Sequence, residues 1–176
     1  MLLGMLLALS WLASPAAGAT TTEIRFWGTV REVSSGTHLL VRSPDRGEIL
    51  VRMIGVELPE PPRSGNGTWL DGQPFGELAA GYVRDLLLEK QVQLTAYGRD
   101  RVGRTLAVVW LGEINVNLTL VKEGLAWVDP ALTVTKVRAP LEVAERQARV
   151  GKYGLWSLPE PEPPWEYRKR HRLVLR

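Results

Sequence analysis

Apolar and polar residues change period several times along the chain, and each change marks an element. From Ile24 to Val33, β-branched and aromatic residues are interleaved with charged ones, the pattern of a strand with one face in water. Ser34-Ser35-Gly36 signals a turn, Leu39–Arg42 a second strand, and Pro44-Asp45-Arg46-Gly47 a tight turn. Ile49–Val56 is mostly apolar and predicts a third strand, which completes a three-stranded meander. The stretch from Pro59 to Pro74 is rich in Pro and Gly and reads as a long loop. Beyond it, Phe75, Leu78, Ala79, Tyr82, Val83 and Leu86 recur at helical spacing and predict a helix with these residues on its apolar face. Gln91–Tyr97 alternates with Val92, Leu94 and Ala96 on one side, and after the charged turn Gly98–Gly103 the segment Thr105–Leu111 predicts a fifth strand. Val116–Lys122 is a short helix stopped by Gly124, and Arg138–Val150 a longer one ended by Gly151. Five short strands with a helix between the third and fourth is the order of a five-stranded Greek-key OB barrel, here carrying three helices.

The two ends depart from this pattern. Residues 1–19 hold an apolar run without a charged side chain, too short to span a bilayer comfortably, and end in Ala17-Gly18-Ala19, the small-x-small form of a signal-peptidase site. A cleaved leader and export, to the periplasm or outside the cell, are the expectation; an uncleaved membrane anchor or a buried N-terminal helix is the alternative. At the other end, the Pro-rich stretch Pro159–Trp165 is expected to be extended and to separate the barrel from residues 168–176. That tail carries five of the 22 Lys and Arg and no acid, so of the net charge of +3 the remainder of the chain holds −2. The basic tail is expected either to contact polyanions, meaning nucleic acid or an anionic membrane, or to be a solvated terminus.

Composition narrows the chemistry. With 45% apolar and 23% charged residues the 176-residue chain is an ordinary globular sequence, and a monomer is expected. The absence of Cys excludes disulfides, thiolate catalysis and sulfur-ligated metals. Two His, His38 and His171, leave little room for a His-built metal centre or a Ser-His-Asp triad. Hydrolytic chemistry would have to use Asp, Glu, Arg or an oxygen-liking ion. Asn66-Gly67-Thr68 and Asn117-Leu118-Thr119 have the form of glycosylation sequons.

Val51-Arg52-Met53-Ile54-Gly55-Val56-Glu57-Leu58-Pro59-Glu60 is followed by Gln73-Pro74-Phe75-Gly76-Glu77-Leu78-Ala79-Ala80 and Asp100-Arg101-Val102-Gly103-Arg104-Thr105-Leu106-Ala107. Then come Val116-Asn117, Glu123-Gly124-Leu125-Ala126, Gly154-Leu155-Trp156 and Pro163-Pro164-Trp165-Glu166. In this order and spacing the blocks resemble the staphylococcal nuclease (thermonuclease-like) family over roughly residues 24 to 168. The resemblance implies an OB barrel with three helices and calcium-assisted cleavage of DNA and RNA. It implies catalytic roles for Arg52, Glu60 and Arg104. Such a set suits phosphodiester hydrolysis: guanidinium forks hold the oxygens of a transition state gaining negative charge, and a carboxylate orients or deprotonates the attacking water. Read alone, Arg52 could line the barrel, Glu60 could be a solvated loop acid and Arg104 could cap a turn.

The sequence departs from the family at the metal site. The family's Asp-Gly-Asp turn reads Ser34-Ser35-Gly36-Thr37, and Glu57 replaces an Asp. Calcium takes six to eight oxygens, and its affinity follows the ligand charge. The resemblance therefore implies at most a weak calcium site from Glu57 and Thr37 with help from Glu60 and substrate phosphate. His38, next in the chain, is either a transition-metal ligand or a strand histidine with a local hydrogen bond. The family's base-stacking tyrosines have no clear counterpart, and Trp69 or Trp127 is a candidate for that role beside ordinary packing. Two functions stand: a nuclease with altered metal demand, or a decayed OB module that binds single-stranded DNA, RNA or a partner without cutting. A third is a surface protein tethered to anionic lipid by its tail.

Overall fold

The computed structural model describes residues 23–65 and 68–171. The expected leader at residues 1–19, most of the sequon at Asn66 and positions 172–176 of the tail lie outside the described residues. Three long antiparallel strands open the fold: β1 (Ile24–Ser34), β2 (His38–Ser43) and β3 (Gly47–Met53). The apolar run read as one strand to Val56 breaks after Met53. Gly55 sits at φ 80°, a left-handed conformation that favours glycine, and turns the chain into β4 (Val56–Glu57). The long loop contains a small hairpin, β5 (Arg63–Gly65) and β6 (Thr68–Leu70), and leads to α1 (Gly76–Leu87). There follow β7 (Gln91–Arg99), β8 (Thr105–Leu111), β9 (Ile114–Asn115) and α2 (Val116–Lys122). The last described elements are β10 (Trp127–Val128), α3 (Thr135–Gly151), a 3₁₀ turn at Gly154–Ser157 and α4 (Pro164–Arg170).

The main sheet runs β3-β2-β1-β7-β8-β9, and a parallel pairing of β3 with β8 closes its first five strands into the expected OB barrel. The barrel interior takes the inward residues of every strand, among them Val30, Val41, Val51, Met53, Val92, Leu94 and Val109, all buried. The helix before β7 is rotated from its expected face. Gly76, Ala79, Ala80, Val83 and Leu87 are buried, whereas Leu78 is 56% and Tyr82 38% exposed. Small residues face the barrel because the approach is close: a Cβ on Gly36 would lie 3.3 Å from the Ala80 Cα. Asn117 is buried, so the second sequon is structural. Its Oδ1 accepts from the Val109 amide (2.9 Å) and its Nδ2 donates to the Ile54 carbonyl (2.8 Å), joining α2 to the turn after β3.

A fourth helix is added to the expected three. Pro164 occupies the first turn of α4, where its missing amide costs nothing and its fixed φ suits a helix start. Trp165 packs edge-on to Trp127, with centroids 5.8 Å apart, and Trp127 meets Trp156 at 4.3 Å. This aromatic knot, with Leu155 and Ala148, holds the C-terminal segment against the barrel. For residues 168–171, the described part of the tail, the expected separation from the barrel does not occur: burial of Trp127, Trp156 and Tyr167 outweighs the extended preference of the prolines. No helix among the described residues is long and apolar enough to cross a membrane.

Candidate active site

The seam where the barrel closes sets the site. Parallel pairing aligns Arg52 of β3 with Leu106 of β8, and antiparallel pairing aligns Arg52 with His38 of β2. Arg104, two residues before Leu106, thereby arrives beside His38. The break at Gly55 brings Glu57 back toward Arg52, and β4 is held there by pairing with β10. Arg52, Glu57, Glu60 and Arg104 line one cleft of about 320 Å³ together with Thr37, His38, Arg63 and Arg168.

Each arginine is oriented by an acid. Arg52 Nη2 bonds Glu57 Oε1 and lies 3.3 Å from Asp129 Oδ2. The turn before β8 is built on Asp100, whose Oδ1 accepts from the amides of Val102 (3.0 Å) and Arg104 (2.9 Å), while Oδ2 accepts from Arg104 Nε at 2.6 Å. Burial opposes the charge on Asp100, but these bonds outweigh it and hold the carboxyl below its ordinary value. Arg104 Nη1 then donates to His38 Nε2 at 2.7 Å. A guanidinium has no acceptor, so Nε2 accepts, the proton sits on Nδ1, and Nδ1–H donates to Ser35 Oγ at 2.8 Å. Burial first, then the Arg104 and Arg52 charges, lower the His38 pKa from 6.5 to about 4. His38 is thus a neutral strut for Arg104, the locally hydrogen-bonded histidine of the two readings.

Glu60 is fixed through its backbone. Its amide donates to Gln73 Oε1 (2.9 Å), its carbonyl accepts from the Gln73 amide (2.7 Å), and Gln73 Nε2 donates to the Glu162 carbonyl (2.8 Å). A Cβ on Gly76 would lie 2.2 Å from the Glu60 carbonyl oxygen, so only glycine lets the start of α1 approach. These contacts give the Gln73–Gly76 motif its physical reason. The Glu60 carboxylate meets Arg168 Nη1 at 2.7 Å and Arg63 at 3.4 Å.

The donors for calcium do not fit as they stand. Glu57 Oε1 is held by Arg52 and Oε2 by Arg168 at 3.0 Å, and both Glu60 oxygens face guanidinia. The turn beside them offers Thr37, buried, and no carboxylate. Among the described residues no three His, Asp or Glu side chains converge as a metal-holding group. Neither stacking candidate lines the cleft: Trp127 is packed in the aromatic knot, and exposed Trp69 donates to Asp71 from the β5–β6 hairpin.

Sequence reasoning missed Arg63, Asp129 and Arg168 at the site. Asp129 and Arg168 carry no local signal, because β10 and α4 reach the cleft only through tertiary packing. His38 was visible but its partner Arg104, 66 positions away, was not. The basic tail also reads differently in place: Arg168 pairs with Glu57 and Glu60, Lys169 with Glu166 (3.3 Å) and Arg170 with Glu162 (2.5 Å).

Comparison with known proteins finds similar sequences. The family described as "Staphylococcal nuclease homologue" matches residues 50–158. An "Uncharacterized endonuclease" of Escherichia coli O157:H7 is 32% identical over 144 residues, covering 81% of this chain and 85% of the relative. A "Micrococcal nuclease" of Shigella flexneri is 33% identical over 134 residues, 71% of each chain. A "Thermonuclease" of Staphylococcus hyicus is 31% identical over 144 residues, 81% of this chain and 82% of the relative.

Proposed function

The chain belongs to the staphylococcal nuclease family, and from that premise we propose that it hydrolyses phosphodiester bonds of DNA and RNA in the Arg52–Glu60–Arg104 cleft. The observation that supports this reading most is the joint placement of those three groups along one cleft, with Arg104 brought to Arg52 and Glu60 from the turn before a distant strand. A scissile phosphate seated between Arg52 and Arg104 gives its non-bridging oxygens two guanidinium forks. As water attacks phosphorus, negative charge builds on those oxygens, and preoriented donors stabilise it at no reorganisation cost. Glu60 accepts a hydrogen bond from the attacking water and then its proton. The P–O bond to the departing sugar oxygen breaks in line with the new one, its electron pair goes to that oxygen, and the oxygen takes up a proton from water to leave as the alcohol. His38 keeps Arg104 aimed by accepting from Nη1, a role that requires the neutral ring.

The substrate is single-stranded DNA or RNA, and the working form is a monomer. Residues 1–19 act as an export leader, so the enzyme works outside the cytoplasm; N-terminal sequencing of protein recovered outside the cytoplasm should begin at Thr20. The activity itself is tested by incubating the purified chain with single-stranded DNA and RNA and resolving the products. Cleavage that Glu60→Gln lowers by about 100-fold or more supports the mechanism. Retention of the strand on the protein with no product, in wild type and variant alike, assigns the chain to the binding modules instead.

A further inference from the structure

We propose that Arg168 is the resident cation of this site: its guanidinium stands between Glu57 and Glu60 in place of a divalent ion, so that cleavage needs no divalent metal. The inference rests on the nuclease reading above and concerns what holds its acids in position.

Arg168 Nη1 lies 3.0 Å from Glu57 Oε2 and 2.7 Å from Glu60 Oε1. An ion bridging the same two oxygens at calcium distances of roughly 2.3–2.6 Å would need the volume that this nitrogen fills. Occupation by arginine and by metal are therefore alternatives. Charge leads the same way. The cleft is lined by four arginines, Arg52, Arg63, Arg104 and Arg168, and two glutamates, and Asp129 and Asp100 pair with Arg52 and Arg104 from beside it, so every acid is already matched by a guanidinium. The turn that could supply an opposing carboxylate holds Ser35 and Thr37. With no acid left unpaired, a dication could gain here only by displacing a guanidinium.

Arg168 is also built in. It extends from α4, which starts at Pro164 and buries Tyr167. Trp165 is locked against Trp127, and Gln73 ties the preceding Glu162 carbonyl to the backbone of Glu60. The same glutamine thus positions the acid and the chain that brings its cation. Burial works against the charge on Arg168, but its bonds to Glu60 and the charge of Glu57 outweigh that and keep it firmly protonated. Arg168 acts as a positioning residue: it fixes both carboxylates and supplies the positive charge between them.

The test uses the full chain and two independent readouts. Thermal midpoints are measured in EDTA and in millimolar CaCl2, for wild type and Arg168→Gln. Arg170→Gln, on the same helix but paired with Glu162, controls for damage to α4, and Arg168→Lys keeps the charge without the guanidinium. The proposal expects no calcium shift in wild type or Arg170→Gln and a clear rise of midpoint with calcium in Arg168→Gln. In the cleavage assay, wild type should work equally well in EDTA and in calcium. Arg168→Gln should fall about 100-fold in EDTA and recover in part with CaCl2, and Arg168→Lys should lie between. Wild type that needs calcium to cut or is stabilised by it overturns the proposal. So does an Arg168→Gln variant that cuts faster in EDTA, which would make Arg168 a plug. If nothing cuts under any condition, the nuclease reading fails, and the calcium shifts of the folded variants still decide between arginine and metal.

Discussion

Two regions supply three of the four arginines of this cleft, and they do so by different means. At the barrel seam, Arg52 and Arg104 are placed by strand register: β3 and β8 pair in parallel and a side chain has little freedom to be elsewhere. At the C-terminal side, Arg168 is placed by an aromatic knot and a proline-started helix that no strand pairing fixes. The seam is rigid because a slip of one residue would turn every side chain to the wrong face. The knot is held by aromatic packing with a few polar ties, such as Gln73 to the Glu162 carbonyl, so much of its contribution is separable from the barrel register. The contrast teaches that one cleft can be half backbone-encoded and half docked.

The largest break in that contrast comes from Trp127→Ala. Removing a buried indole shared by Trp156 and Trp165 should cost about 3–5 kcal/mol of stability in urea denaturation. It should also loosen α4, so that proteolysis between Tyr153 and Arg168 becomes fast while the barrel persists. Next, Arg104→Ala should lower kcat/KM for single-stranded DNA by about 100- to 1,000-fold with little change of thermal midpoint, because the residue is positioned for charge and not for packing. Asn117→Leu strips the bonds to Val109 and Ile54 and should destabilise by about 1–3 kcal/mol, a loss at the seam that leaves the knot's protease resistance intact.

The smallest effect is a pH dependence. A histidine held at about pKa 4 in the fold takes up a proton near 6.5 when unfolded. The unfolded state then binds more protons between those values, so this contribution to stability is complete above pH 6.5 and is lost as pH falls toward 4. Over that window the thermal midpoint of wild type should fall more steeply than that of His38→Gln. Activity should fall with it, since His38⁺ cannot accept from Arg104. An equal slope in the two proteins would remove the strut from the account.

The same contrast explains what was legible in the sequence. Strand periodicity and the Greek-key order gave the barrel, and Arg52, Glu60 and Arg104 stood in recognisable blocks because register and tight turns impose local residue choices. The break at Gly55 was hidden because an apolar run through a turn looks like an apolar strand. The face of α1 was misjudged because Leu78 and Tyr82 are exposed while Gly76, Ala79 and Ala80 take the barrel contact. Arg168 was read as part of a detached tail because prolines suggest extension, whereas its placement depends on Trp127 and Trp156 lying near in space and not in sequence.

The central claim is that Arg52 and Arg104 grip one phosphate together. It is tested most directly by kcat/KM on single-stranded DNA for wild type, Arg52→Ala, Arg104→Ala and the double variant. Groups acting on one transition state are strongly non-additive, so each single loss should be large and the double loss far smaller than their product. A single variant that cuts at the wild-type rate, or losses that simply multiply, would contradict it.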